Sequence, residues 1–474
     1  MASDPLSTVF HPSSPLYQGA TLLYPFAPGV LLPYEYDGLR VEAAAARTTA
    51  WIGTMLMISP IYDVTGPDAV EFLNSVCTND FSKLSLKGLR HAVLCNDKGQ
   101  IMTDGVVIKL GENHFRTYWL NPPIEFLLKK SELRVEGTDQ SLTEYFIQIA
   151  GEKSLEILEN VCECDLHDIK FAGHRTVSVN GKPMRVIRLG MSGNLAYEVH
   201  GAIGEFEDIY KRICSVGERF GARKLGMNAY SGPNHTVGGY PNIHIHYPLP
   251  WFESEHGRYQ GLSAYLAQNP HMAWFNLNRR LTGSAGNQLE ERFVTPYDVG
   301  WGNLVKLEKS CDFPGKKALT DLAQTHRRTL VSLEWNASDV ASIYASQLMG
   351  PGTEPCEPID MQLDMYYQAN AVALSKGEGV IYRADRVLAG DEPVGISTGR
   401  VIDYHYNRMV SLAFIDKTQA KIGSELSVLW GTPGTPQRNV RVKVAKVPYH
   451  DSVRNEDRDV SDVPKWTTQA LPTS

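Results

Sequence analysis

The sequence lacks most of the features that would place a protein quickly. Its seven cysteines, among 474 residues, contain no Cys-x-x-Cys pair. Cys162 and Cys164 are the nearest two, and no second pair lies close by to complete a zinc site. A disulfide framework is excluded at this density, and reduced, mostly buried thiols in a cytoplasmic setting are expected. Positive charge is not in excess: 46 Lys and Arg stand against 53 Asp and Glu, for a net charge of −7. Nucleic acid is therefore a poor main partner, because neutralising phosphates needs a basic surface. No apolar run approaches the ~20 residues that cross a bilayer. Residues 1–19 hold no basic stretch followed by an apolar core, so neither a secretory signal nor a transit peptide is expected. There is no short repeat, no P-loop and no G-x-G-x-x-G; Gly377-Glu378-Gly379 lacks the third glycine. Gly395-Ile396-Ser397-Thr398-Gly399 matches G-x-S-x-G in letters alone, with no helix following to make a nucleophile elbow. Nucleoside triphosphatases, Rossmann-type enzymes and α/β-hydrolases are disfavoured.

What the chain does have is apolar material, at 43% of residues, with a mean hydropathy of −0.24. That composition fits a soluble globular protein, and the length allows roughly three domains. The first 40 residues read as a Pro-, Ser- and Tyr-rich arm. Residues 41–141 read as one α+β unit: a helix over Glu42–Arg47, strands at Met55–Ile58 and Ile61–Val64, and a helix opened by Pro67. A meander over His91–Cys95, Ile101–Lys109 and Phe115–Leu120 follows, and then a helix from Pro123 to Leu133. A second α+β unit spans 142–325, with strands at Phe146–Ala150, Met184–Arg188 and Leu195–Val199. Its amphipathic helix carries Phe206, Ile209, Tyr210, Ile213, Val216 and Phe220 on one side. Residues 240–295 read as an aromatic insert that includes Ala273-Trp274-Phe275. A C-terminal all-β domain is expected over 326–455, followed by a mobile polar tail.

Several side chains invite a chemical reading. Asp104 sits inside a strand-rich run, where a carboxylate is costly to bury without a partner; it faces either solvent or a ligand amine. Glu198 follows a Gly-rich turn and could accept two N–H bonds from a guanidine-like edge, or it is a solvated strand residue. His244 and His246 alternate and would share a face if the segment is a strand. They then form a metal pair, a polar substrate wall or plain surface. Tyr230 precedes a turn and is either structural or a proton donor.

Three stretches together resemble the aminomethyltransferase family, the folate-binding T-protein of glycine cleavage. They are Asn96-Asp97-Lys98-Gly99-Gln100-Ile101-Met102-Thr103-Asp104, the Gly190–Gly201 segment with Tyr197-Glu198, and Pro296-Tyr297-Asp298-Val299-Gly300-Trp301-Gly302 with Asp312-Phe313-Pro314-Gly315-Lys316. Order and spacing hold from about residue 40 to 450. Within the family the chain looks most like the tetrahydrofolate-dependent aryl methyl ether O-demethylases acting on vanillate or syringate. The features shared with these are Tyr24-Pro25, Ala229-Tyr230, Pro248-Leu249-Pro250 and Val428-Leu429-Trp430-Gly431. The resemblance implies a three-domain, cloverleaf α+β fold ending in a β-barrel. It implies tetrahydrofolate as the methyl acceptor, held by Asp104, Tyr197, Glu198 and Tyr240, with Glu198 on the pterin edge. Tyr230 and Asp104 would be catalytic, Tyr230 giving a proton to the leaving phenolate oxygen. No metal is implied, and the partner is a small methoxylated aromatic, bound by a monomer or homodimer away from any membrane.

The departures from that pattern shape the expected substrate. Met55 and Ile58 stand where the vanillate enzyme has a glutamine and a histidine, and Leu120 where it has a carboxylate-binding arginine. With Tyr24, His244 and His246, these would line the substrate side; Arg116 and Trp119 are further candidates to offset the missing cation. A neutral or larger methoxylated aromatic is expected rather than vanillate. The alternatives are demethylation of a sulfonium or amine donor, and a folate-binding scaffold that performs no demethylation. The cysteine motif of the iron–sulfur maturation branch is not matched at Cys311-Asp312-Phe313-Pro314.

Overall fold

In a computed structural model, the described residues are 9–27, 30–243, 245–269, 279–359 and 380–467. Ala273-Trp274-Phe275, His244 and Gly377–Gly379 lie outside them. The meander predicted from short Gly and Asn turns forms a five-stranded sheet. Its strand order is Leu89–Cys95, Ile101–Gly111, His114–Tyr118, Ile61–Thr65 and Glu136–Asp139, with every neighbour antiparallel. The first turn closes because Asn96 Oδ1 accepts from the N–H groups of Lys98 and Gln100, while Gly99 takes a positive φ of 76°. Helix Ala69–Val76 buries Phe72, Leu73 and Val76.

A second sheet has six strands in the order His174–Val179, Lys182–Ile187, Ala196–Ala202, Glu144–Ala150, Trp51–Gly53 and Arg223–Leu225. Trp51–Gly53 precedes the first sheet in sequence yet pairs in the second, so the two sheets share one stretch of chain. Helix Phe206–Arg219 buries Phe206, Ile209, Tyr210, Ile213 and Val216 as its 3.6-residue pattern requires. The β-rich end closes into a six-stranded barrel: Arg328–Trp335, Arg408–Asp416, Glu392–Asp403, Asp385–Ala389, Glu425–Trp430 and Arg438–Ala445. Trp335 and Trp430 meet edge to face in its core. A helix at Ala337–Ser346, absent from the sequence expectation, is capped by Asn336. Among the described residues, no helix is long and apolar enough to cross a membrane.

Four expectations are corrected. Met55–Ile58 is one turn of 3₁₀ helix, not a strand. In that geometry positions i and i+3 eclipse, so Met55 and Ile58 share a face, which a strand would forbid. The helix from Pro123 ends at Lys129. The N–H of His246 donates to Asn242 O, a turn-type bond, so strand alternation does not apply to His246. The tail docks instead of trailing free, at least to residue 467. Asn455 donates to Ala196 O, Arg188 reaches Asn455 O, Trp466 N donates to Glu159 Oε2, and Val460 and Val463 enter the core.

Candidate active site

One cavity of about 620 Å³ opens between the two sheets, the segment after Tyr230, the Val299–Leu304 loop and the barrel. Asp104 reaches it from the middle of Ile101–Gly111 and is 8% exposed. Its Oδ2 lies 2.8 Å from His91 Nε2 and 3.2 Å from Tyr240 Oη, and those two atoms are 2.8 Å apart. Tyr247 donates to the other carboxylate oxygen at 3.3 Å. Trp301 packs against both His91 and Tyr240. Burying the carboxylate is thus offset by three hydrogen-bonding neighbours. The next residue must be glycine, because a Cβ at Gly105 would stand 2.0 Å from Tyr118 O.

Glu198 enters from the strand Ala196–Ala202 and is 5% exposed. Gln148, directly opposite on Glu144–Ala150, donates to its Oε1 at 3.0 Å. Burial pushes the carboxyl up to about 8. His200, two residues on and hence on the same face, puts Nε2 3.7 Å from Glu198 Oε2. Desolvation, with Arg185 and Arg116 nearby, drives His200 well below the ordinary histidine value, so it is neutral.

Tyr230 stands at the head of a π-type turn, Tyr230–Asn234, inserted between two short α-helical segments. Pro233 has no N–H to give and fits this wider turn; such bulges recur at functional sites. The turn presents Tyr230, Ser231 and His235 to the cavity. Tyr230 is buried, edge-on to Trp51 and to His235. His235 Nδ1 and Ser231 Oγ are buried cavity-lining atoms with no hydrogen-bond partner among the described residues. Orphaned polar atoms of this kind fit a ligand rich in nitrogen and hydrogen-bonding edges, as a pterin is.

Much of the remaining lining is apolar: Met55, Leu56, Ile58, Phe171, Leu189 and Met191. Trp119 joins it from a left-handed backbone conformation, φ 64°, held by its N–H to Pro60 O and its carbonyl to Thr103. A bulky residue in that region costs on the order of 1–3 kcal/mol and is typical of functional walls. Among the described residues, the only Lys or Arg lining the cavity is Arg454, and it is paired with Glu456 at 2.5 Å. Arg116 is drawn elsewhere, onto Asp63 and Glu144.

The cavity thus gathers Asp104, Glu198, Tyr230, Tyr240, Met55 and Ile58. Other candidates do not line it. Tyr197 points to the opposite side of its strand from Glu198 and is fully buried in the core, as alternation dictates. Leu120 is a core residue beneath the first sheet, and Tyr24 stacks on Tyr34 in the arm. His246 is buried between Thr236 and Gly399, accepting from Asn242 N. His91, Tyr118, His200, His235 and Trp301 were missed by sequence reasoning, whereas Trp119, named as a further candidate, does line the cavity. Only His200 carried a readable signal: it lies at i+2 from Glu198 on a strand. Away from the cavity, Glu159, Asp165 and His167 converge, but their atoms bind Leu166 N, Trp466 N, Val463 O and Lys465 in clasping the tail.

Comparison with known proteins adds four findings. The GCVT N-terminal domain model matches residues 22–232. Over nearly full length, the chain is 47% identical to the sesamin methylene transferase of Sinomonas sp., covering 92% of this chain and 94% of that one. It is 27% identical to the syringate O-demethylase of Sphingobium sp., with 93% of each chain covered. The crystal structure of the glycine cleavage system aminomethyltransferase T from Bartonella henselae superposes with a TM-score of 0.62 over 93% of this chain and 96% of that one. At 14% identity this likeness shows the fold alone.

Proposed function

Because the chain belongs to the aminomethyltransferase-type family of the GCVT N-terminal domain, whose one-carbon acceptor is tetrahydrofolate, we propose that it moves the one-carbon unit of a neutral aryl ether onto tetrahydrofolate. The observation that carries this reading is the cavity itself. Two carboxyl groups and a phenol face it alongside an apolar wall, and no unpaired lysine or arginine lines it among the described residues. Glu198 is the acceptor for the pterin N–H edge, and Asp104 with His91 and Tyr240 holds the reacting amine side. When bound, the folate supplies a secondary amine nucleophile at N5 and another at N10.

Phenolate is a poor leaving group near neutral pH, so the ether oxygen needs a proton as its bond to carbon breaks. Tyr230 supplies that proton, since a phenol donor is matched in kind to a phenol leaving group. Asp104 is placed to receive the proton that the amine gives up on alkylation. The two transfers leave Tyr230 one proton short and Asp104 one proton over, and exchange with solvent after product release restores both. The walls built from Met55, Ile58 and Trp119 exclude water and hold carbon in line between oxygen and nitrogen.

Two donors fit this chemistry. A methoxyarene would yield a phenol and 5-methyltetrahydrofolate, the outcome the sequence motifs suggested. A methylenedioxyarene would lose two C–O bonds, yielding a catechol and 5,10-methylenetetrahydrofolate. Similarity to the sesamin methylene transferase at 47% identity favours the methylenedioxyarene. Sesamin is uncharged, and the apolar cavity suits an uncharged ring better than a benzoate such as syringate. The deciding experiment incubates the protein with tetrahydrofolate and sesamin, an uncharged methoxyarene, or vanillate, and identifies the folate product by mass spectrometry. 5,10-Methylenetetrahydrofolate from sesamin is expected. 5-Methyltetrahydrofolate from the methoxyarene alone would establish demethylation instead. Folate binding with no transfer from any aryl ether would overturn the aryl ether reading in favour of a sulfonium or amine donor.

A further inference from the structure

Glu198 presents a problem that the chemistry above leaves open. To accept N–H bonds from a pterin it must be ionised, yet it is 5% exposed and its surroundings favour the protonated form. A proton must therefore leave a buried carboxyl as the ligand arrives. The neighbouring side chains provide a path. His200 Nε2 is an orphaned atom 3.7 Å from Glu198 Oε2, a few tenths of an ångström beyond hydrogen-bonding distance. His200 Nδ1 is 3.0 Å from Tyr118 Oη, and Tyr118 donates in turn to Glu144 Oε2 at 2.7 Å. Tyr118 has one proton and gives it to Glu144, so His200 must donate through Nδ1, which leaves the Nε2 lone pair toward Glu198. Glu144 is 13% exposed and meets Arg116 at 2.6 Å and Arg185 at 3.5 Å. The donors and acceptors thus all run in one direction, from the cavity outward.

The path also crosses the fold. Glu198, His200 and Glu144 belong to the six-stranded sheet, while Tyr118 ends a strand of the five-stranded one. The charged and titratable groups around His200 are Arg116, Arg185, His174, Glu144 and Glu198. Burial, with the two arginines, keeps the imidazole from holding a second proton, which suits a relay that passes protons on without storing them.

We propose that His200, Tyr118 and Glu144 form a proton wire that draws the proton off Glu198 as a pterin edge binds and returns it when the folate leaves. The inference rests on Glu198 being the pterin acceptor. In one shift, Glu198 O–H protonates His200 Nε2, His200 Nδ1–H passes to Tyr118 Oη, and Tyr118 O–H passes to Glu144. The net result is one proton moved from Glu198 to Glu144, with His200 left neutral in its other tautomer. Glu144 then releases the proton to solvent. His200 and Tyr118 are positioning residues in this scheme, acting through Glu198.

The test is stopped-flow binding of tetrahydrofolate at pH 6.5 and pH 9, followed by tryptophan fluorescence and by a pH-indicator dye. The wild type should release close to one proton per folate bound at pH 6.5 and almost none at pH 9. Tyr118→Phe and His200→Gln should each slow association at least tenfold at pH 6.5, where Glu198 starts protonated. At pH 9 both should bind within twofold of the wild-type rate. Slowing of equal size at both pH values means a structural role and overturns the wire, as do unchanged rates in both variants. Binding by the wild type with no proton release at pH 6.5 overturns instead the assignment of Glu198 to the pterin, and the wire with it. Glu198→Gln serves as the control that should bind weakly without proton release.

Discussion

Replacing Glu198 by glutamine should make the protein more stable and less able to bind folate, and the size of both effects follows from its environment. Burial lifts the carboxyl from 4.5 in the unfolded chain to about 8 in the fold. Between those values the unfolded chain is ionised while the folded one keeps its proton, so stability falls as pH rises. Below 4.5 both states are protonated and the cost vanishes. At about 1.36 kcal/mol per pH unit, the cost reaches about 3 kcal/mol at pH 7 and levels off at about 5 kcal/mol above pH 8. Glutamine is neutral throughout, and its carbonyl still accepts from Gln148. Urea unfolding of the two proteins from pH 5 to pH 9 should therefore show a gap that widens with pH, with the variant the more stable. The same variant loses charge-assisted hydrogen bonds to the pterin worth about 1.5–3 kcal/mol, a weakening of roughly 10- to 150-fold by titration calorimetry. A stability gap that stays constant from pH 5 to pH 9, or a variant that binds folate as tightly as the wild type, would refute the reasoning.

Other expectations concern the donor side and the tail. Tyr230→Phe should lower single-turnover transfer from an aryl ether about 10²- to 10⁴-fold with folate affinity within twofold; full turnover would remove Tyr230 as proton donor. Met55→Arg places a cation in the apolar lining and should raise the relative activity on a benzoate-type ether over an uncharged one at least tenfold, read as a ratio of kcat/KM values. An unchanged ratio would mean that Met55 does not face the aromatic ring. Ending the chain at residue 450 removes Arg454 and Glu456 from the cavity and uncovers the Ala196 carbonyl and Arg188. The truncated protein should unfold at lower urea and lose activity; equal midpoints would contradict the docked tail.

Legibility in the sequence followed the physics of each feature. The antiparallel meander was readable because Asn96 to Gly99 carry turn chemistry whose side-chain bonds are local. The amphipathic helix at Phe206–Arg219 was readable because a 3.6-residue pattern needs no knowledge of what covers it. The all-β character of the C-terminal domain was readable from apolar strands separated by Gly and Pro, while its closure into a barrel was implied by the family resemblance. Asp104 and Glu198 were found because a carboxylate in an apolar strand run is costly and asks for a reason. Met55–Ile58 misled because four apolar residues fit a strand or a single helical turn equally well by composition. Tyr197 was mistaken for a ligand by its adjacency to Glu198, although alternation along a strand sends the two to opposite faces. His246 depended on a strand that is in fact a turn.

The local elements, the order of the family's motifs and the carboxylates that cannot be buried idly were written in the chain. Each of these follows from short-range sterics, periodicity or the desolvation cost of one group. Tertiary structure alone decided what surrounds those carboxylates. His91 beside Asp104, and Tyr118 and Glu144 beside His200, come from five strands of two sheets and from side-chain distances of a few ångströms. Strand pairing between segments tens of residues apart sets those distances, and no local pattern encodes it. Charge in the cavity was likewise a tertiary matter. Arg116 is close in sequence to the cavity-lining Tyr118 and Trp119, but Asp63 and Glu144 hold it away, leaving a wall suited to an uncharged ring.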